Sequence, residues 1–129
     1  MSTHNFFEIK PIDDNHPKGW GQEVWLENNE WYCGKILEIK AGKFCSKHFH
    51  LCKRESFILL DGEVILTIVD TLTAKSVDIN MQPTMAYRIV PPCPHQFRAI
   101  VDSKILEIST SHYEDDSYRI EPGDSQKCA

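Results

Sequence analysis

Runs of basic residues are missing from this sequence, and with them any general attraction for nucleic acid or anionic lipid: the 129-residue chain carries a net charge of −5. Nothing in it approaches the roughly 20 consecutive apolar residues of a membrane-spanning helix. The opening "MSTHNFFEIK" has no basic start followed by an apolar block. No secretory signal is therefore expected, and the expected location is the cytoplasm. The five cysteines (Cys33, Cys45, Cys52, Cys93 and Cys128) are odd in number and form no CxxC pair. They read as reduced thiols of a cytoplasmic protein, not as a disulfide framework. Internal repeats, low-complexity segments and interdomain linkers are also lacking, and helix candidates are short and weak.

What is present is a succession of short strands. "QEVWLE", "WYCGKILEI", "SFILL", "EVILTIVD", "AYRIV", "QFRAIV" and "KILEIST" are separated by the turn signals "ENNE", "KAGK", "LDGE", "NMQPT", "PPCP" and "VDSK". Many strands at close spacing in one small domain imply an all-β sandwich or barrel. Asp61-Gly62 between two apolar runs reads as a hairpin turn. Alternation places Leu37 and Ile39, then Val64, Leu66 and Ile68, on the inward face. Lys35 shares the parity of Leu37 and Ile39, so it is either drawn inside or reaches to a rim. The chain reads as a single domain over 1–129, with a barrel core at about 19–121 and a polar tail, 122–129, expected to be mobile.

Within "GKFCSKHFHLCKRESFILLDG" (42–62), His48 and His50 stand two apart on an extended segment and so project to the same side. Glu55 follows a turn-like "LCKR" and can return a carboxylate from a neighbouring strand, while His95 follows the proline-rich turn "VPPCP". Three imidazoles and one carboxylate suit a divalent transition metal (Mn, Fe, Co, Ni or Zn) with positions left for water or substrate. Two histidines alone would read as surface residues on a strand edge. The added His95 and Glu55 carry the metal reading.

The spacing Gly42-x5-His48-x-His50-x4-Glu55-x6-Gly62 matches the first motif of the cupin superfamily at each defined position. The second cupin motif, G-x5-P-x-G-x2-H-x3-N, falls on Thr84, Val90, Pro92, His95 and Ala99, and of its residues only the histidine is kept. This resemblance implies a double-stranded β-helix, or jelly-roll barrel, with a metal inside near one mouth. The flanks resemble the cupin domain of type II phosphomannose isomerases: "KGWGQEVW" (18–25), "YCGKILEIKAGKFCSKHFH" (32–50), and "LEISTSHYEDDSYR" (106–119) through Glu114, Asp115, Asp116 and Arg119. Similar small domains occur as sugar isomerases. The resemblance to small cupins also implies a homodimer, with the "QEVWLE" strand free to add to a partner's sheet.

A ketol-isomerase acting on a sugar or sugar phosphate needs a Lewis acid and a base that shuttles the proton. Glu107 in "KILEIST" is the carboxylate candidate for the base, provided that it faces inward and not outward with Leu106 and Ile108 in the core. Lys35 is the candidate to steady a developing oxyanion, and Arg88 and Arg98 are candidates to meet a phosphate or hydroxyls. Asp115 and Asp116 are expected on the surface in pairing with Arg119, and His112 either in the pocket or exposed. Trp20, Trp25 and Trp31 are expected as packing anchors. Two other functional classes fit the same residues: a non-haem iron dioxygenase and a non-catalytic sugar-binding cupin.

Overall fold

Alternation of apolar and polar residues along a strand becomes alternation of inside and outside in a sheet, and the regular structure of this chain is almost entirely strand, with one 3-10 turn at Glu114–Asp116 among the described residues. The computed structural model describes Ser2, Thr3 and residues 6–126. Its strands are β1 (Ser2–Thr3), β2 (Glu8–Ile9), β3 (Asp14–Lys18), β4 (Gly21–Asn28), β5 (Cys33–Ile39), β6 (Lys47–Phe49), β7 (Glu55–Asp61), β8 (Val64–Val69), β9 (Ser76–Asn80), β10 (Ala86–Ile89), β11 (His95–Ala99), β12 (Ser103–Ser109) and β13 (Tyr118–Glu121). A six-stranded sheet runs β10-β7-β12-β5-β4-β3 and a five-stranded sheet runs β13-β6-β11-β8-β9, with β1 and β2 forming a small pair of their own. All pairings are antiparallel. This is a jelly-roll barrel: the strand pattern implied a sandwich or barrel, and the resemblance implied the jelly roll. No helix among the described residues is long and apolar enough to cross a membrane.

The two sheets share one core. Leu37, Ile39, Phe57, Leu59 and Ile105 from the larger sheet meet Val64, Leu66, Phe97 and Ala99 from the smaller one. Phe57 and Phe97 touch edge to face at 4.7 Å between ring centroids. Each fully buried side chain of this kind stabilises the fold by about 1.5–3 kcal/mol. The seven strands read from the sequence correspond to β4, β5, β7, β8, β10, β11 and β12.

Several local expectations change. Asp61-Gly62 is not a hairpin, because β7 and β8 lie in different sheets. The turn carries the chain across from one sheet to the other. Gly62 adopts φ +96°, and a Cβ there would fall 2.2 Å from Ser103 Oγ, so the corner requires glycine. Turn chemistry specified a sharp reversal but not which strands pair. Nor is β4 a free edge over most of its length: β3, whose "DNHPK" carries no apolar alternation, pairs with it from Gly21 to Trp25. The start of the tail is docked, since Asp124 N–H donates to Phe44 O and Phe44 N–H donates to Asp124 Oδ2. Residues 127–129 lie outside the described residues. Trp20 is buried, whereas Trp31 is 73% exposed and anchors nothing in the core. Cys33, Cys45, Cys52 and Cys93 are free thiols, and Cys128 lies outside the described residues.

Candidate metal centre and its cavity

The inward rows of the strands change character at one end of the barrel. Along β5 the buried residues run Ile39, Leu37, Lys35. Along β12 they run Ile105, Glu107, along β7 Leu59, Phe57, Glu55, and along β11 Ala99, Phe97, His95. Strand register brings the polar members together: Lys35 lies opposite Glu107, and His95 lies opposite His48.

His48, His50 and His95 each offer a ring nitrogen, and these nitrogens lie within 4.8 Å of one another. The other nitrogen of each ring is committed to the backbone. Nδ1–H of His48 donates to Ser46 O at 3.0 Å, that of His50 to Asp116 O at 3.0 Å, and that of His95 to Cys93 O at 2.9 Å. These bonds fix the tautomer and turn each Nε2 lone pair toward the shared space, which is how metal-binding imidazoles are held. Glu55 stands among them, with Oε1 3.2 Å from His50 Nε2 and Oε2 3.2 Å from His95 Nε2. The contacts lack hydrogen-bond alignment, leaving His50 Nε2, His95 Nε2 and Glu55 Oε2 buried without a hydrogen-bond partner. Buried, unsatisfied lone pairs converging on one point are the donor set a divalent cation fits. The three histidines thus form a group able to hold a divalent metal.

Electrostatics hold His48 and Glu55 in their ligating forms, while His50 must release a proton to bind metal. Burial, followed by the neighbouring His95, pushes the His48 imidazole down to about 3, so it is neutral at physiological pH. Burial opposes charge on His50 as well, but contact with the Glu55 carboxylate outweighs it and raises its pKa. Burial would raise the Glu55 carboxyl, yet His50, His95 and Lys53 hold it well below the usual carboxylate range.

The cavity beside this group has a volume of about 90 Å³, room for several waters or one small ligand on a scale where a single water takes about 10–15 Å³. Both Lys35 and Glu107 line it, and both are buried. Lys35 Nζ lies 3.3 Å from Glu23 Oε1 and 4.2 Å from the centroid of the Trp25 ring. Glu107 Oε2 accepts from Ser109 Oγ at 3.0 Å and lies 2.6 Å from Lys53 Nζ. Lys53 is the residue that sequence reasoning missed. It is buried, it also approaches Glu55 Oε1 at 3.5 Å, and it donates to His112 Nδ1 at 2.9 Å. Burial would lower the Lys53 pKa, but Glu107 and Glu55 raise it, so the ammonium is charged. His112 lies on the cavity wall, its Nε2–H donating to Glu114 at 2.9 Å. Glu23 was also missed, although its strand partner Leu37 is an inward residue.

Arg88 and Arg98 are corrected. Each alternates with buried neighbours (Ile89 on β10, Phe97 and Ala99 on β11), so strand parity turns both arginines to the outside. Arg98 lies over the Phe44 ring, 4.9 Å from its centroid. The guanidinium on the cavity wall is that of Arg119. Asp116 is corrected too: it does not pair with Arg119 but is buried, and it accepts from the backbone N–H groups of Leu51, Cys52 and Lys53 at 3.0–3.3 Å. It thereby clamps the loop that joins His50 to Glu55.

Among known proteins, no family model and no curated protein matches the sequence. Solved structures do match in shape. CapF with the inhibitor 3-isopropenyl-tropolone superposes with a TM-score of 0.70 at 14% identity, covering 83% of this chain and 33% of that one. The capsular polysaccharide assembling protein CapF from Staphylococcus aureus gives 0.70 at 14%, covering 83% and 34%. A variant of oxalate decarboxylase from Bacillus subtilis gives 0.73 at 16%, covering 83% and 30%. The chain thus spans about a third of the length of the structures it matches. At these identities the likeness speaks for the fold alone, a jelly-roll barrel. Inside that barrel the chain carries a histidine group suited to a divalent metal.

Proposed function

We propose that this protein is a metal-dependent ketol-isomerase of a small sugar or sugar phosphate. The observation that carries the reading is that Glu107 and Lys35 line the same cavity as the histidine group, with both side chains buried. A wall of aliphatic side chains would have served neither proton transfer nor sugar hydroxyls. Buried ion pairs rarely stabilise a fold more than apolar residues of the same size would. Two lysines and two carboxylates held beside the histidines therefore favour a chemical role.

His48, His50, His95 and Glu55 would hold the metal, which when bound supplies Lewis-acid polarisation of a carbonyl or alkoxide oxygen. Glu107 Oε takes the proton from one carbon and returns it to the neighbouring one. Lys53 and Ser109 hold that carboxylate in place. Lys35, steadied by Glu23 and Trp25, donates to a substrate oxygen as negative charge develops.

The test is metal analysis of the purified protein, followed by an NMR screen of aldoses, ketoses and their phosphates in D2O, read as deuterium entering carbon-bound positions. Glu107→Gln keeps the shape of the side chain but cannot take a proton. It is expected to retain metal and lose about 10²–10⁴ in rate. His50→Ala is expected to lose metal and turnover together. A Glu107→Gln protein of full activity would end the assignment of the base. Oxidation of substrate with consumption of O2 would replace isomerisation by oxygenase chemistry.

A further inference from the structure

β3 is the outer strand of the larger sheet and β13 that of the smaller one, and the segment after β13 crosses from one to the other. Pro122 has no N–H with which to continue the β13 ladder. Gly123 then packs so closely on the stretch before β6 that a Cβ there would fall 2.3 Å from the backbone of Cys45 and Ser46. Asp124 is tied to the same stretch by its two bonds with Phe44. Across the seam, Gly19 N–H donates to Ser125 Oγ at 2.9 Å, and a Cβ on Gly19 would fall 2.2 Å from Asp124 O. The segment also closes on itself, with Gly123 N–H donating to Gln126 Oε1 at 2.8 Å and Gln126 N–H to Gly123 O at 3.1 Å.

Ser125 and Gln126 line the cavity of the histidine group, with Lys18 and Trp20 on one side of the seam and Ser46 and Arg119 on the other. Trp20 and Cys45, which also line it, are buried. We propose that residues 123–126 are a latched strap that gates the cavity, and that small molecules reach its buried floor through this seam when the latch between Gly19 and Ser125 opens. The two ends of the strap are held unequally. Gly123 and Asp124 are fixed on residues 44–46 by close packing and two hydrogen bonds. The tip is latched through a hydroxyl, and lifting it breaks no strand pairing. A polar segment held in this way opens at a small part of the cost of unfolding the barrel. The strap is independent of the catalytic reading, because it controls access whichever reaction the metal centre serves.

Cys45 reports on the gate, because it lines the cavity and its backbone touches Gly123. Labelling of the full chain by iodoacetamide, read by peptide mass, compares it with the exposed Cys52 and with Cys33, which is buried and does not line the cavity. In the wild type, Cys45 is expected to react at least about 100-fold more slowly than Cys52. Ser125→Ala removes the latch and is expected to speed Cys45 several-fold, the effect of one neutral hydrogen bond. Gly19→Ala sets a methyl against Asp124 O at a position whose own backbone is not left-handed, and is expected to speed Cys45 about tenfold or more. Circular dichroism and the silence of Cys33 are expected to be unchanged in both variants. Cys45 labelling at the wild-type rate in both overturns the proposal, as does a wild-type Cys45 that reacts as fast as Cys52. Cys33 gaining reactivity in step with Cys45 would mean that the whole barrel opens, and the strap would not be a gate. If Gly19→Ala does not fold, Ser125→Ala decides alone.

Discussion

The same strands build two unlike ends of one barrel. At one end Leu37, Leu59, Ile105, Leu66 and Phe97 close a dry core. At the other, two residues further along β5, β7, β11 and β12, the inward positions are Lys35, Glu55 with Phe57 below it, His95 and Glu107. Since the backbone geometry is shared, the difference lies wholly in side chains. The apolar end stabilises the fold, while the charged end costs desolvation that its ion pairs only offset. A protein keeps such an end for what it binds or catalyses. The comparison is open to attack from either side.

The largest effect is expected at the charged end. Lys53→Met removes the ammonium 2.6 Å from Glu107 and 3.5 Å from Glu55, leaving two buried carboxylates with less compensation. Losing one partner of a buried pair costs about 3–5 kcal/mol. Divalent metal is expected to restore part of this, because a cation held at Glu55 replaces the missing positive charge and so stabilises the variant more than the wild type. Urea unfolding with and without Mn²⁺ measures both. A loss that metal leaves unchanged would separate Lys53 from the metal centre.

Ile105→Ala is the counterpart at the apolar end. Ile105 is fully buried between strands β5 and β7, and its truncation is expected to cost about 2–5 kcal/mol. The folded variant should bind metal as the wild type does, with the same loss in its presence and absence. Loss of metal affinity in step with stability would show that the two ends are not independent.

How far each end could be read from sequence follows from the same division. The apolar end was legible because period-two alternation is a local signal: Val64, Leu66, Leu37 and Ile39 announce their face by parity alone. His48, His50 and Glu55 were legible through spacing, and Glu107 and Lys35 through parity with buried neighbours. Lys53 was not, because it lies in a loop between β6 and β7 where parity has no meaning. The role of Asp116 was hidden for another reason. Its three backbone partners are more than 60 residues away in sequence, and a run of acidic residues looks the same whether solvated or clamping a loop. Arg88 and Arg98 were misplaced by proximity to His95, although the alternation that buries Phe97 and Ile89 already turned them outward.

Asp116 gives the next effect in size, about 2 kcal/mol for carboxylate bonds to N–H groups. Burial would raise its pKa, but the N–H groups of Leu51, Lys53 and Cys52 outweigh that and lower it. A carboxyl whose folded pKa lies below its unfolded value, about 3.9, stabilises fully above that value. The contribution fades as pH falls from there through the folded pKa. Asp116→Asn is therefore expected to be less stable than wild type at pH 7 and to approach it as the pH falls through the lowered pKa of the folded protein. Because the clamp lies on the ligand loop, metal affinity should weaken with it at neutral pH. Parallel stability curves for the two proteins across the acid range would show that the Asp116 charge holds nothing.

The smallest effect is a gain, and it falls on the apolar end. Thr84 has a left-handed backbone, φ +67°, which a β-branched residue adopts at a cost of about 1–3 kcal/mol. It is exposed, and it precedes β10, whose Ala86 end pairs with Ile58, away from the pairing of Ile89 with Glu55 at the metal end. Thr84→Gly relieves that strain but gives the unfolded chain more freedom, worth about 0.5–1 kcal/mol in the other direction. The balance is a stabilisation of about 1 kcal/mol, read as a rise in Tm of roughly 3 °C for a domain of this size. Metal affinity is expected to stay at the wild-type value, since nothing at the charged end moves. A fall in Tm would mean that the Thr84 side chain supplies more than its backbone costs. A change in metal affinity would mean that the turn at one end of the barrel sets the geometry at the other, and the independence of the two ends would be lost.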